Sequence, residues 1–396
     1  MKKIGPGVLI AAAFIGPGTV TVCTLAGVNF GYSLLWAMLI SILATIILQE
    51  MASRLGIVTQ KGLGSAISTE IKNKALKIVV VGIVLGAILI GNAAYEAGNI
   101  GGAVLGVEAI FGAEYKVFYP FLIGILAFFL LWFGTYKILE KVFLVLIGLM
   151  SISFLLTAIL TKPNLIELVQ GIFVPKLPEG SVLTIIALIG TTVVPYNLFL
   201  HAALVSEKWK LVEDLKWVRR DTVISIGFGG LISMAIIIAA SAITVDDVNG
   251  ASDLAKGLEP LFGDLAVYCM GAGLFAAGVT SSITAPLAAA FVASSFFGWG
   301  RNLKDIRFRI TWIVILVVGT FSLFFNVRPI EVIQFAQVAN GLLLPVIAII
   351  LIWMVNKANL MGKHRNSSLQ NVFGILIVLL ALALGSKSIL SVFGSF

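Results

Sequence analysis

Two short segments of this chain place proline beside glycine and hydroxyl residues within apolar sequence. One reads Gly16-Pro17-Gly18-Thr19, and the other runs from Gly190 through Pro195 to Asn197. Proline removes a backbone donor and clashes with the preceding helical turn, while glycine accepts non-helical dihedral angles. A helix broken there leaves free amides, which attract anions, and free carbonyls, which attract cations. We therefore predict a substrate site at these residues: Gly16, Pro17, Gly18, Thr19, Thr191, Val194, Tyr196 and Asn197.

The elements that must position these residues follow from the composition. The chain has 396 residues, of which 59% are hydrophobic and 12% are charged. Soluble domains average about 45–50% apolar and about 25% charged residues. The mean hydropathy is +1.08. These values exclude a soluble enzyme, a disordered protein and a nucleic-acid-binding protein, and they indicate a polytopic membrane protein.

The apolar runs are long and continuous rather than alternating, so they predict membrane helices and not a barrel. A membrane-spanning helix needs about 20 mostly apolar residues. We predict eleven spans, at residues 5–29, 33–56, 78–107, 117–135, 141–161, 182–206, 221–245, 264–298, 310–327, 330–356 and 371–394.

The distribution of basic residues predicts the orientation, because cytoplasmic loops are enriched in lysine and arginine. With the N-terminus placed in the cytoplasm, 21 of the 27 basic residues lie on the inner side. The outer loop that carries Asp246, Asp247, Asp253 and Glu259 is acidic. The predicted topology is therefore N-terminus cytoplasmic and C-terminus outside, in the plasma membrane. The net charge of +8 needs no partner other than the lipid bilayer.

The two proline segments lie on the first and sixth spans, which are five helices apart. Five spans reverse the direction through the membrane, so the spans correspond to each other in an inverted repeat. Interrupted helices at matching positions of two halves indicate a transporter binding site. We predict a first repeat at 1–161, a second at 182–356 and an additional eleventh span at 371–394. The alternative interpretation is two ordinary proline kinks.

Several further stretches form recognisable motifs, among them Phe30-Gly31-Tyr32-Ser33, Arg54-Leu55-Gly56-Ile57 and the sixth-span residues Pro195, Asn197 and His201. With these motifs the chain resembles the Nramp family of divalent-metal transporters over nearly its whole length. The resemblance implies a leucine-transporter-type fold with a 5+5 inverted repeat, broken helices one and six, and alternating access.

The chain departs from the family pattern at the residues that would bind a metal. The pattern Asp-Pro-Gly-Asn on the first helix is replaced here by Gly16-Pro17-Gly18-Thr19. On the sixth helix, Thr191 replaces alanine, Val194 replaces methionine and Tyr196 replaces histidine. Divalent cations need anionic or strongly donating ligands, and a thioether selects soft metals. We therefore predict no metal-ligand set of the family type.

The resemblance also nominates residues that could couple transport to H⁺ or Na⁺. Of the family's acidic pair on helix three, Glu96 remains and Ala93 replaces the aspartate. A carboxylate inside a membrane is a functional candidate, but a protonated glutamate can also serve packing. His201 is a further candidate, with a structural role favoured. Hydroxyls on helix eight line a sodium site in leucine-transporter-type folds, although such clusters also join helices. The helix-eight candidates are Thr280, Ser281 and Ser282.

On the tenth span, Gln337 and Asn340 either face the cavity or bridge helices.

The predicted lining of the substrate site is otherwise neutral. It suits a small organic acid or an amino acid, such as a proline-like or 5-oxoproline-like molecule, which is our main prediction. The first alternative is H⁺-coupled transport of a divalent ion such as Mn²⁺ or Mg²⁺ through an atypical site. The second is a non-transporting sensor or relative.

The sequence has no nucleotide-binding loop and no assembled catalytic residues, so we expect a secondary transporter and not an enzyme. We expect no cofactor other than a coupling ion, H⁺ or Na⁺. The expected partners are a small-molecule substrate and the lipid bilayer, without nucleic acid. We expect a monomer, although the sequence does not determine the oligomeric state.

Overall fold

This computed structural model describes residues 5–7, 10, 15–133, 137–245, 248–299, 304–325 and 327–393, with side chains except at 137–140 and 388–393. Within these ranges the regular structure is helical and contains no strand. The first half comprises α1 (Pro17–Phe30), α2 (Leu35–Thr59), α3 (Leu63–Glu70), α4 (Lys74–Phe111), α5 (Tyr119–Phe133), α6 (Lys137–Leu160) and α7 (Leu165–Phe173). The second comprises α8 (Ser181–Thr192), α9 (Pro195–Lys208), α10 (Leu215–Ala240), α11 (Ala251–Ala255), α12 (Glu259–Phe262), α13 (Ala266–Phe297), α14 (Ile306–Ser322), α15 (Pro329–Val355), α16 (Ala358–Met361) and α17 (Ser368–Phe393).

Each of the eleven predicted spans contains a long helix in the described residues, and the sixth contains two, α8 and α9. By length and composition, eight helical stretches of the described chain could cross a membrane, and α5 is a shorter apolar helix. Asp246 and Asp247, predicted in the acidic outer loop, lie outside the described residues. The sidedness of the chain stays a prediction from its charges.

Helix α4 lies at the centre of the molecule, where it packs against α13, α15 and α14. Small residues allow the closest of these contacts. A Cβ atom on Gly278 of α13 would lie 2.5 Å from the Ala103 nitrogen and 2.7 Å from the Asn99 carbonyl oxygen of α4. In a membrane, packing and not hydrophobic exclusion holds helices together, so small residues at such contacts favour association.

The outer helices present large apolar side chains to their surroundings. Phe129 on α5, Leu149 on α6, Val317 on α14 and Leu376 on α17 are all exposed. Contiguous apolar surface of this kind is rare on soluble proteins. It fits contact with lipid around the bundle.

The Arg54-Leu55-Gly56 motif has a structural role at the end of α2. Arg54 is buried, and its guanidinium donates to Glu50 at 3.0 Å and to the Asn366 side-chain oxygen at 2.6 Å. It also contacts the His364 carbonyl oxygen. A buried charge must be paired and hydrogen-bonded to be tolerated. Arg54 therefore joins α2 to the connection between α15 and α17.

Candidate substrate site

The two proline segments produce two helix breaks that lie close together. Gly16 is extended, with φ −122° and ψ −171°, and α1 starts at Pro17. Helix α8 ends at Thr192, and α9 starts at Pro195 after Val194, which is extended at φ −75° and ψ 120°. Proline is favoured at the first helical position, where its missing donor costs nothing. Both proline positions therefore become helix starts and not kinks.

The structure shows where the two helices begin. Pro17, Gly18 and Thr19 form the first turn of α1, which the extended Gly16 precedes. Likewise Tyr196 and Asn197 belong to the first turn of α9. The site's side chains are thus held on helix ends, which fix their directions more firmly than unwound backbone.

A hydrogen bond between two threonines connects the helices at the two breaks. The Thr19 hydroxyl of α1 lies 2.7 Å from the Thr191 hydroxyl of α8, and both residues are fully buried. Thr192, one residue later, contacts Ser41 of α2. The two threonines that the sequence analysis assigned to the substrate site are therefore brought together, and each satisfies the other.

Helix α15 closes a second side of the site through Gln337. A Cβ atom on Gly18 would collide with the Gln337 side chain, and one on Gly190 would collide with the Gln337 carbonyl oxygen. The Gln337 side-chain oxygen is buried and has no hydrogen-bond partner among the described residues. Gln337 thus lies against both α1 and α8, and its predicted role, in the cavity or as a bridge between helices, stays a prediction.

The first turn of α9 carries polar groups without partners. Tyr196 and Asn197 are buried, and the Tyr196 hydroxyl and both polar atoms of the Asn197 amide find no hydrogen-bond partner among the described residues. The Tyr196 ring packs edge-on against Tyr95 of α4, with ring centroids 5.9 Å apart. A buried polar group without a partner costs about 1–3 kcal/mol. Such groups beside a helix break are consistent with a ligand site.

Glu96 and the helix-eight hydroxyls form a second group beside the first break. The Glu96 carboxyl accepts a hydrogen bond from the Asn99 amide at 3.2 Å, and Ser282 lies beside it. Ser281 faces Gly16, because its hydroxyl oxygen would be 3.2 Å from a Cβ atom placed there. The Thr280 hydroxyl donates to the Ala276 carbonyl of its own helix at 2.7 Å. Of these three hydroxyl residues, Ser281 and Ser282 lie nearest the site.

Asn340 and His201 are placed away from these contacts. The Asn340 side-chain oxygen would be 3.6 Å from a Cβ atom on Gly91 of α4. The His201 ring nitrogen Nδ1 lies 2.9 Å from the side-chain oxygen of Gln49 on α2. His201 has the structural partner that the sequence analysis favoured. A role for His201 in coupling transport to an ion stays a prediction.

The site has little charge, and it is closed. Among the described residues, no group of three or more His, Cys, Asp or Glu side chains is placed to hold a metal ion. Thr19, Thr191 and Asn197 have no exposed surface. A cavity of about 320 Å³ begins one turn along α9 at Phe199 and extends past Ala203 and Phe291. It leads toward the side that the basic loops predict to be cytoplasmic.

Sequence reasoning did not identify two contributors to the site. Tyr95 supports Tyr196, and Gly190 lets α8 approach the α15 backbone. An aromatic residue next to Glu96 in an apolar span was the available signal for Tyr95. Gly190 had none, because the need for a missing side chain depends on a helix 147 residues further along the chain.

Comparison with known proteins decides the family. The family profile described as "Natural resistance-associated macrophage protein-like", Nramp, matches residues 7–391. The chain belongs to the Nramp family. Among its curated Nramp relatives, the divalent metal cation transporter MntH of Erwinia tasmaniensis is 26% identical over 96% of this chain and 92% of its own length. MntH of Staphylococcus haemolyticus is 29% identical over 95% of this chain and 89% of its own length.

Solved structures agree on the fold. The Eremococcus coleocola manganese transporter, in a complex with an aromatic bis-isothiourea compound, matches with a TM-score of 0.80. It is 22% identical and covers 98% of this chain and 86% of its own. MhsT with bound L-phenylalanine matches with a TM-score of 0.62 at 17% identity, covering 96% of this chain and 98% of its own. This Nramp chain thus has the leucine-transporter-type fold and is a multi-pass secondary transporter.

Proposed function

We propose that this chain moves a divalent metal cation by alternating access, binding it between the two helix breaks. Support comes from the family and from relatives named as divalent metal cation transporters over nearly their whole lengths. The observation in this chain that best supports the proposal is the buried Asn197 amide beside the second break. Neither of its polar atoms has a hydrogen-bond partner among the described residues. This proposal replaces the organic acid as our first choice, because the comparisons lend the organic acid no support.

The donors around the breaks restrict the kind of cation. They are neutral oxygens: the Thr19 hydroxyl, the side-chain oxygens of Asn197 and Gln337, and carbonyls left free at the end of α8. Val194 offers no sulfur, and Gly16 offers no carboxylate. Oxygen donors suit hard cations, and Mg²⁺ commonly keeps several of its waters when bound. We therefore propose Mg²⁺ or Mn²⁺ over softer transition metals.

A second candidate substrate is a small organic acid or amino acid. The specific observation in its favour is the neutral lining: the described residues hold no acidic, histidine or cysteine group able to bind a metal. Hydroxyl pairs and amides can both donate and accept, as recognition of a proline-like or 5-oxoproline-like molecule would require. The fold does not distinguish a cation from an organic substrate, because one fold can serve unrelated functions.

For coupling, we propose H⁺ through Glu96 or Na⁺ beside Ser281. Glu96 is the only carboxylate among the site residues discussed, and it is buried among α13 and α14. Ser281 faces the carbonyl-bearing break at Gly16. Ser282, Thr280 and His201 remain secondary candidates. We also propose the plasma membrane as the location, with a cytoplasmic N-terminus, on the strength of the basic loops alone.

The first test is a thermal-stability screen of the purified chain. The panel contains Mn²⁺, Mg²⁺ and Ca²⁺ beside amino, imino and cyclic carboxylic acids, each with and without Na⁺. A ligand that binds only the folded state raises the melting temperature with concentration. We expect saturable stabilisation by Mg²⁺ or Mn²⁺. Stabilisation by an organic acid alone would overturn the cation proposal, and stabilisation by nothing, with no uptake in proteoliposomes, would favour a sensor.

A substitution pair sharpens this test, because the structure leaves room for the family's carboxylate. Among the described residues, a Cβ atom at Gly16 would meet only the Ser281 hydroxyl, at 3.2 Å, and the backbone there is ordinary extended chain. We expect Gly16→Asp with Val194→Met to tighten Mn²⁺ binding at least about tenfold, since a carboxylate and a thioether are added. Gly16→Asn with Val194→Leu is the matched control of similar shape. If only the Asp–Met variant binds any divalent ion, the natural substrate is not a metal.

A further inference from the structure

An apolar groove lies on the lipid-facing surface, away from the substrate site. It has a volume of about 640 Å³ and is formed by α6, α7 and α10. Leu155 and Ala158 of α6, Leu168 and Ile172 of α7, and Met234 of α10 line it. Lys162 is the one charged residue among its lining side chains. An open apolar groove with one lysine among its lining residues has the chemistry of a phospholipid site.

Helix α7 indicates the depth of this groove in the bilayer. Its side chains at Leu165, Ile166, Val169 and Phe173 are exposed, although all are apolar. Leu168 and Ile172, on the neighbouring face, line the groove. Asn164 caps the helix by accepting from the Ile166 amide at 3.0 Å. A short amphipathic helix that follows a membrane span lies in the interface between head groups and acyl chains.

Lys162 sits in the turn between α6 and α7 and has an unusual backbone conformation. Its φ angle is +47°, in the left-handed region that glycine or asparagine adopts more easily. The side chain is exposed, and no carboxylate among the described residues pairs with its ammonium. Many helices end on a residue in this conformation, and the Lys162 amide donates to the Ile159 carbonyl of α6 at 3.1 Å, so the turn fixes Lys162 at the end of that helix.

We propose that this groove binds an anionic phospholipid of the surrounding bilayer. Lys162 contacts the phosphate and head group, and one acyl chain lies along Leu168, Met234 and Ile238. The apolar lining and an exposed lysine without a carboxylate partner among the described residues meet at one place. Neither involves the helix breaks, so the inference does not depend on the identity of the transported substrate.

The test measures lipid binding to the detergent-purified chain by native mass spectrometry and thermal stability. Dioleoyl phosphatidylglycerol is compared with dioleoyl phosphatidylcholine, and glycerol phosphate serves as a head group without chains. We expect about fivefold tighter binding of phosphatidylglycerol, the equivalent of about 1 kcal/mol per lysine at an anionic surface. Glycerol phosphate should give no stabilisation. Equal binding of both lipids would overturn the proposal.

Two substitutions at one position separate the charge from the backbone. Lys162→Asn suits the left-handed conformation and removes the charge, so the chain should fold at least as well and lose the preference for phosphatidylglycerol. Lys162→Arg should keep it. Lys116→Gln, on the same predicted side but outside the groove, is the matched control and should change nothing. Preference retained in Lys162→Asn would place the lipid elsewhere.

A further variant tests the acyl chain. Met234→Trp should fill the groove and lower binding of both lipids, because Met234 is only partly buried and a larger side chain is tolerated there. Unchanged binding of both lipids would show that the chains do not occupy the groove. Loss of phosphatidylglycerol binding alone would also contradict the proposed arrangement.

Discussion

The two helix breaks differ in the types of residue that form them. At the first, Gly16 and Gly18 leave space, so that the Ser281 hydroxyl and the Gln337 amide come up to the α1 backbone. At the second, the bulky residues Tyr196 and Asn197 follow the proline and bury polar atoms that have no partners. Proline starts a helix at both breaks. At the second, the unsatisfied polar groups belong to the turn that follows the proline, whereas at Gly18 the nearby unsatisfied oxygen is that of Gln337 on α15.

This difference suggests a division of roles. The first break brings backbone and neighbouring helices close, while the second presents the groups that would recognise a substrate. Buried polar atoms without partners lower stability in the absence of a ligand. The polar residues Tyr196 and Asn197 should therefore trade stability for binding, whereas the glycines beside the breaks should affect geometry, each according to the contacts that a Cβ atom would make there. The following predictions test this contrast.

The largest effect is expected where backbone meets backbone beside the second break. Gly190→Ala would place a methyl group against the Gln337 carbonyl oxygen and 2.7 Å from the Gly341 nitrogen. Neither atom can rotate away, so α8 and α15 must separate. We expect a loss of about 1–3 kcal/mol or more in unfolding free energy, and abolished uptake. Gly227→Ala, where a Cβ atom meets nothing within 4 Å, is the control for thermal stability.

Asn197→Leu separates stability from binding at the second break. Removing an amide whose two polar atoms lack partners should raise the unfolding free energy of the ligand-free chain by about 1–3 kcal/mol. The same change should remove substrate-induced stabilisation. Melting curves with and without the ligand found in the screen measure both. A variant that is less stable than the parent would show that the amide serves packing and not substrate.

The Thr19–Thr191 hydrogen bond joins the two breaks and should couple them. Thr19→Val leaves the buried Thr191 hydroxyl without its Thr19 partner, and Thr191→Val removes the same bond from Thr19, each at a cost of about 1–3 kcal/mol, while the double variant removes both hydroxyls. We expect the double variant to be more stable than the sum of the single losses predicts. A double-mutant cycle on unfolding free energy measures this coupling. Strict additivity would mean that the hydroxyls do not depend on each other.

The smallest effect is expected at Gly16. The backbone there is extended, and a Cβ atom would contact only the Ser281 hydroxyl at 3.2 Å, so Gly16→Ala should change the unfolding free energy by less than about 1 kcal/mol. Thermal unfolding checks this directly. A loss as large as that of Gly190→Ala would mean that both breaks depend equally on close backbone contact.

Local sequence carried much of this architecture. Pro17 and Pro195 predicted where two spans are interrupted, because proline cannot continue a helix from the preceding turn. Proline also favours the first helical position, so Gly18 and Thr19 lie in the first turn of α1. The sequence indicated Gln337 as a candidate because it is a polar residue in an apolar span. The sequence could not predict that Gln337 contacts Gly18 and Gly190.

The sequence alone determined that this chain is a helical membrane protein with two interrupted spans, because hydropathy and proline act over a few neighbouring residues. Only the tertiary structure decided that Thr19 bonds to Thr191, that the Asn197 amide finds no partner among the described residues, and that Lys162 lines an apolar groove. Hydrogen-bond partners and grooves arise between helices that are distant in the chain. Their formation depends on packing, which no local pattern contains.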